Sequence, residues 1–477
     1  MAAAVEPKSP RGAELPVSLS NGSKQDQSMV QIESKQHKAE EINGEEGQAS
    51  AKETETADTK EKAKPQIPGG GVAALRKPGC CVGPSTITLS AVASIHTSKI
   101  SLGGGGVGTG RYYTTQGNNA IAIVERILNN WQWSKIGDKH TTSFTLKWAD
   151  LRQQIDYRCF REGEQMVNHF PNISILTTKI GLLESIRSSK RKLLSLRLPV
   201  HQIIPETYRL DIQSEREEFF KIYVEDELWI CKPTGANQGK GIFLVKSLQQ
   251  VKDKLAFDEA HCPVTRHPTQ RIIQRYIHNP LLIEGRKFDI RVYMLLIAGE
   301  KSIFAFYREG YIRLSCLPYD DKSMDMTIHL TNQYIQKKHP LYTDVKEDTV
   351  WDFEKFQNYL SKNEKLPEDY IATTLTRQLR HLMFGCYHSV SHKLERRVGY
   401  FELLGFDFML DSNYHLWLIE VNINPALHTN CETLKQIIPD VIEETLGMAV
   451  EVWSKSRRSR PVFPIDAQKK FYTIFPP

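Results

Sequence analysis

Residues 405–425 read Gly405-Phe-Asp407-Phe-Met-Leu-Asp-Ser-Asn-Tyr-His-Leu-Trp-Leu-Ile-Glu420-Val-Asn422-Ile-Asn424-Pro425. Two apolar-rich runs flank a polar turn at Asp411–Tyr414, which predicts a β-hairpin. Side chains alternate with period two, so Glu420 and Asn422 share one face. With an even loop count, Asp407 faces Leu418 across the ladder and joins them. Two carboxylates and an amide then converge amid Phe, Trp and Leu. An exposed polar strand face is the plain alternative. It does not need like charges at facing positions, where they repel. Hard oxygen ligands of this kind suit Mg²⁺ bound together with nucleotide phosphates.

Two other stretches carry charge into strand-like surroundings. Lys232-Pro-Thr-Gly235-Ala-Asn-Gln238-Gly239-Lys240-Gly241 joins a strand over 227–231 to one over 241–246. Its glycines let backbone N–H groups approach phosphate, and its lysines add charge. It is no Walker loop, because its spacing is one residue short and Gly241 stands where Ser or Thr is required. In Arg286-Lys287-Phe-Asp289-Ile-Arg291, alternation puts Lys287, Asp289 and Arg291 on one face and Phe288, Ile290 and Val292 on the other. Arg308, Arg313 and His329-Leu-Thr331-Asn332 add further polar groups.

Around these stretches the pattern alternates between strand and helix. Residues 270–277 and 287–297 read as strands, and Phe304–Arg308 with Tyr311–Leu314 as a hairpin turning at Glu309-Gly310. Residues 351–362 and 369–393 have helical periodicity. A last amphipathic helix covers 431–452, with Pro439 expected to bend or break it.

Composition bounds the rest. The chain has 477 residues and a net charge of +6. Residues 1–100 carry 12 Lys and Arg against 12 Asp and Glu, so the whole excess falls on the remainder. A mildly basic surface is the simple reading, and attraction to an acidic polymer the sharper one. The stretch Arg187–Lys192 is a candidate basic patch. No basic run is interleaved with aromatics and no nucleic-acid motif occurs, so direct nucleic-acid binding is not expected. The first aromatic of the chain is Tyr112. A segment without large side chains cannot offset its ordering entropy, so 1–112 is expected to be disordered, with a partner-dependent strand over 84–101. Residues 456–477 read as a basic, Pro-containing tail. The eight cysteines form no CxxC pair, which excludes zinc-ribbon and thioredoxin chemistry. No apolar run approaches the ~18 residues of a membrane span, and the first residues lack a secretory pattern. A cytoplasmic protein off the membrane is the expectation.

Taken together, the words VNHFPN (167–172), KPTGANQGKGI (232–242), QRYI (274–277), RKFDIR (286–291), YREG (307–310), HLTN (329–332), GFDFMLD (405–411) and WLIEVNINP (417–425) resemble the tubulin tyrosine ligase-like family, in the family's order. TTKIGL (177–182), HLTNQYIQKK (329–338) and NPALHTNCETLK (424–435) look most like its glycylase branch and its polyglycylases. The resemblance implies an α/β ATP-grasp ligase over 113–455, with N-terminal, central and C-terminal lobes and ATP between two antiparallel sheets. By position, it implies that Lys232, Gln238, Gly239, Lys240 and Gly241 hold phosphates. Gln274, Arg275, Tyr276 and Ile277 supply the hinge that meets adenine. Lys287, Asp289, Thr331 and Asn332 contact the nucleotide, and Asp407, Glu420 and Asn422 bind Mg²⁺, two ions in all. Arg291, Arg308 and Arg313 receive carboxylates, and Glu420, Arg291 and Arg308 serve catalysis. Tyr334, where many glutamylases have a serine, is a candidate for filling the amino-acid pocket. The implied reaction adds free glycine to acidic tails such as those of tubulin or nucleosome-assembly proteins, mainly by elongation, in the cytoskeleton, cilium or axoneme. Glutamylation, tyrosination and a catalytically silent microtubule-binding protein are the rival readings.

Overall fold

The computed structural model describes residues 110–262 and 268–474. The expected disorder over 1–112 and the strand over 84–101 therefore fall outside the described residues, up to residue 109. Residues 111 and 112 belong to the fold instead: Tyr112 is fully buried in strand β1.

Three sheets organise these residues. In the first, β1 (Arg111–Thr114), β2 (Ser134–Lys135), β3 (Leu146–Trp148) and β4 (Met166–Val167) run parallel in the order β2-β1-β3-β4. Helix α1 (Ile121–Asn130) packs on it through Val124, Ile127 and Leu128. Helix α2 (Lys179–Ser188) follows, its first turn capped by Thr178, whose hydroxyl accepts from the Gly181 N–H. The second sheet is antiparallel: β5 (Thr207–Arg209), β6 (Trp229–Pro233), β7 (Phe243–Val245) and β8 (Arg271–Arg275), in the order β5-β8-β6-β7. Its outer face is filled by Phe219 of α3 (Gln213–Ile222) and Val251 of α4 (Leu248–Ala260).

The third sheet is larger and also antiparallel. Its spine is β10 (Arg286–Ala298), flanked by β11 (Ile303–Pro318) and β13 (Phe401–Leu410); β9 (Leu282–Ile283), β12 (Val350–Trp351), β14 (Leu416–Asn422) and β15 (Tyr472–Thr473) complete it. The expected alternation along β10 holds. Phe288, Ile290, Val292 and Met294 point into one core, against α5 (Phe353–Asn363) and α6 (Thr376–Val390). Tyr293, Leu295 and Ile297 point into another, against α7 (Glu432–Ser456).

Three local expectations are corrected. First, β11 does not turn at Glu309-Gly310. It runs through, and Gly310 is a bulge, since Arg291 pairs with Tyr311 while Val292 pairs with Glu309. A Cβ at Gly310 would stand 2.4 Å from the Arg291 carbonyl oxygen, so only glycine fits there. The reversal lies instead at Gly299–Ser302, closed by a 2.9 Å bond from the Gly299 N–H to the Ser302 carbonyl. Second, α7 passes through Pro439 unbroken. Ile438, Val441 and Ile442 on either side are fully buried, and that packing outweighs one missing helix bond. Third, the segment after α7 is not a separate tail. β15 pairs with β11, and Ile465, Ala467, Phe471 and Ile474 are buried. Glu444 accepts the N–H groups of Lys469, Lys470 and Phe471, and Glu451 those of Asp466 and Ala467.

Candidate active site

The inner face of the second sheet looks onto β14 of the third, leaving a cleft between them. Lys232 and Gln274 line one wall, Glu420 and Asn422 the other, and Thr177–Lys179 close one end.

The acidic wall is built by a register shift absent from the sequence expectation. The β13–β14 loop spans residues 411–415, with Leu410 opposite Leu416 and Phe408 opposite Leu418. Asp407 therefore does not face Leu418. A bulge at Ile419 sets Asp407 opposite Glu420. Without that extra residue, strand alternation would send Glu420 and Asn422 to the opposite face. With it, the Asn422 side-chain nitrogen donates to Asp407 Oδ2 and to Glu420 Oε1, each at 3.2 Å.

Asp407 is held by two arginines. Arg291 donates at 2.5 and 3.0 Å, and Arg313 Nη2 lies 2.9 Å from Oδ2. Burial alone would raise the Asp407 carboxyl, but the two guanidinium groups overcome it and hold the group down at about 2. Arg313 also donates to Asp289 at 2.6 and 2.7 Å, and Asp289 accepts from the Thr331 hydroxyl as well. Arg291 Nη1 is buried without a partner. Such an orphaned donor is costly unless something else meets it.

Two lysines have the opposite imbalance: Lys232 lines the second-sheet wall, and Lys287 stands on β10 of the third sheet, on the face of Asp289 and Arg291. Lys232 Nζ donates to Gln274 Oε1 at 2.7 Å, and Gln274 is fixed by Thr207 at 2.9 Å. Lys287 Nζ donates to the Tyr276 hydroxyl at 2.7 Å, and that hydroxyl meets His329 Nδ1 at 2.7 Å. Among the described residues, neither lysine has a carboxylate within ion-pair distance. Desolvation lowers Lys232 to about 8, despite the opposing field of Glu420. It lowers Lys287 to about 7, helped by the charge of Lys232. Buried ammonium groups held by neutral acceptors call for an anion. Beside them, Leu228, Ile230, Leu244 and Tyr276 form an apolar patch.

The glycine-rich loop closes over this wall. Gln238, Gly239 and Gly241 are all left-handed, with φ of 63°, 77° and 67°. A Cβ on Gly239 would meet Ile335, Leu330 and Asn332 at 3.0–3.2 Å, so the loop tip rests on the 330–335 segment. Asn332 caps the short helix after it, accepting from the Ile335 N–H at 3.0 Å.

Not every expected residue joins the cleft. Arg308 shares a face with Arg313 but lies under α7. There it is bonded to Glu444 and, at 3.1 Å, to the Asp440 carbonyl, so it is not placed to serve the reaction. The Arg275 side chain leaves the cleft for Glu206 and Glu227 at 3.0 and 2.7 Å and covers Trp229. Tyr334 is 39% exposed and is not among the residues that line the cleft. Conversely, Thr177, Thr178 and Lys179 line the cleft, where the sequence marked them only as part of a branch-specific word. The Tyr276–His329 contact to Lys287 was not foreseen at all. Nothing local in the sequence signals a partner 53 residues away.

A strand-borne acid–amide set and two desolvated lysines are thus gathered at one end of the third sheet. The sequence pattern of the tubulin-tyrosine ligase family matches residues 158–459, and the chain belongs to that family. It is 42% identical over 388 residues to a mouse protein polyglycylase, TTLL10, covering 77% of this chain and 55% of the relative. It is 39% identical over 411 residues to a human relative named inactive polyglycylase TTLL10, covering 76% and 61%. A probable α-tubulin polyglutamylase, Ttll1, from Tetrahymena thermophila is 28% identical over 345 residues, covering 67% and 81%. The chain thus spans little more than half the length of the mouse relative. Among the described residues, no helix is long and apolar enough to cross a membrane.

Proposed function

We propose that the chain is an ATP- and Mg²⁺-dependent protein polyglycylase that forms and mainly extends glycine side chains on glutamates of acidic protein tails such as tubulin's. One observation supports the ligase part: desolvated Lys232 faces Glu420 and Asn422 across the cleft, and desolvated Lys287 stands beside it on the β10 face that also carries Asp289 and Arg291, neither lysine having a carboxylate partner among the described residues. Lys232 and Lys287 suit ATP phosphates, and the Leu228–Ile230–Leu244–Tyr276 patch suits the adenine, beside the backbone of Tyr276 and Ile277. The donor set also fits the metal. Carboxylate and amide oxygens are hard ligands, and Asn422 keeps its oxygen available because its nitrogen serves both carboxylates. Glu420 and Asn422 would hold Mg²⁺ with Asp407 behind them; bound there, it offsets charge on the phosphates.

The chain's own residues then position the reactants. Arg291, with its orphaned Nη1, and Arg313 attract the acceptor carboxylate. That carboxylate takes the terminal phosphoryl group and ADP leaves. The amine of glycine displaces phosphate, losing a proton, and the amide bond is formed. The choice of glycine rests on the similarity to polyglycylases. A catalytically silent protein is the second reading, favoured by the human relative's name. Incorporation of labelled glycine, glutamate and tyrosine into tubulin-tail peptides, with and without a pre-attached glycine, tests all of this. Glycine incorporation, greatest on the pre-glycylated peptide, is the expected result. Glutamate incorporation above glycine overturns the glycylase assignment, and no incorporation with intact ATP binding supports the silent reading.

A further inference from the structure

We propose that Tyr334 is a positioning residue that latches the glycine-rich loop closed over the nucleotide; this rests on the ATP-binding reading above. The Tyr334 ring meets two ammonium groups, Lys240 Nζ and Lys338 Nζ, each 5.3 Å from its centroid. Lys240 belongs to the loop, whereas Lys338 belongs to the same segment as Tyr334. Among the described residues, no carboxylate lies within ion-pair distance of either exposed lysine, and the aromatic face is the charge-complementary group their side chains meet. A second contact brings the same two segments together. Gly239, next to Lys240, is left-handed, and a Cβ there would meet Ile335, Leu330 and Asn332 at 3.0–3.2 Å. The far side of the latch is anchored to β10, because Thr331 bonds Asp289 and Asn332 caps the turn that carries Tyr334.

This contact bears on the nucleotide rather than on the fold. Tyr334 is 39% exposed, so replacing it removes little core. The loop's own shape is set by its left-handed residues and by Arg271, which donates to the Gly241 carbonyl at 3.0 Å. What Tyr334 adds is a preference for the closed position, and any preference that ligand and latch share appears as affinity.

The test compares Tyr334→Leu and Tyr334→Phe in the full chain. Calorimetry with a non-hydrolysable ATP analogue and Mg²⁺ is combined with steady-state kinetics. Tyr334→Leu should weaken analogue binding and raise KM for ATP about two- to five-fold, the size of an exposed cation–π contact. KM for glycine and for the acceptor peptide should stay within about two-fold, and Tyr334→Phe should behave as wild type because it keeps the ring. In a Lys240→Met background, Tyr334→Leu should add nothing further. Unchanged nucleotide affinity in Tyr334→Leu overturns the latch. So does a rise confined to the acceptor or glycine KM, which would make Tyr334 a substrate contact. Wild-type protein that binds no analogue overturns the ATP reading itself, and the latch with it.

Discussion

One face of β10 and β11 carries two arginine–carboxylate clusters that end differently. At the cleft end, Arg291 and Arg313 share Asp407 and Asp289, and among the described residues one guanidinium nitrogen is left over and two lysines lack acid partners. At the α7 end, Arg308 is closed off by Glu444, and Glu444 in turn accepts three backbone N–H groups from the C-terminal segment. Both are buried and charged. The second is balanced from within the fold and acts as a fastener. The first has donors in excess and a cavity beside it, the mark of a site awaiting an anion. Charge in a strand therefore does not identify a site; unbalanced charge beside space does.

The largest effect should come from neutralising the cleft's acid. Glu420→Gln should lower turnover by about 10²–10³-fold or more, because an amide cannot supply the same charge to the phosphate–cation complex. Melting should change little, since Glu420 is only half-buried and bonded to Asn422 alone among the described residues. Activity and melting measured on one preparation decide it. Activity within a few-fold of wild type removes Glu420 from the site.

The matching change at the other end should do the reverse. Glu444→Ala leaves three N–H groups unpaired and buried Arg308 with only Asp440, and should cost about 3–5 kcal/mol of stability. Turnover per folded molecule should persist. Denaturant unfolding with kcat measured on the folded fraction separates the two effects. A lost kcat at full stability would return Arg308 to the reaction.

A smaller effect concerns pH. Lys287 near 7 and Lys232 near 8 lie below the roughly 10.4 of an unfolded lysine. Between pH 7 and about 10 the unfolded chain holds more protons, so these groups make the ligand-free fold more stable as pH rises. ATP affinity should run the opposite way, because phosphate binds the protonated ammonium. The dissociation constant should rise about tenfold from pH 6.5 to 8.5, with proton uptake on binding in calorimetry. A flat profile would mean that these lysines do not meet the phosphates.

The sequence by itself determined the alternation of β10, the positions of its charged face, the helices over 351–362, 369–393 and 431–452 in outline, and the family's words in order. These are local properties, written in periods of two and of 3.6 residues. It also singled out Asp407, Glu420 and Asn422, although the pairing derived for them was wrong. Only the tertiary structure decided the rest. The bulges at Ile419 and Gly310 arise from the closure of whole ladders, so no short pattern announces them. Arg308 and Arg313 look alike in the sequence, and only the packing of α7 over one of them makes it a fastener. The C-terminal segment joined the fold through Glu444 and Glu451, partners contributed by a helix that composition alone could not orient. Tyr334 was marked by its neighbours in the chain, but its partner Lys240 lies 94 residues away, reached only when the glycine-rich loop folds down onto the turn that carries the tyrosine.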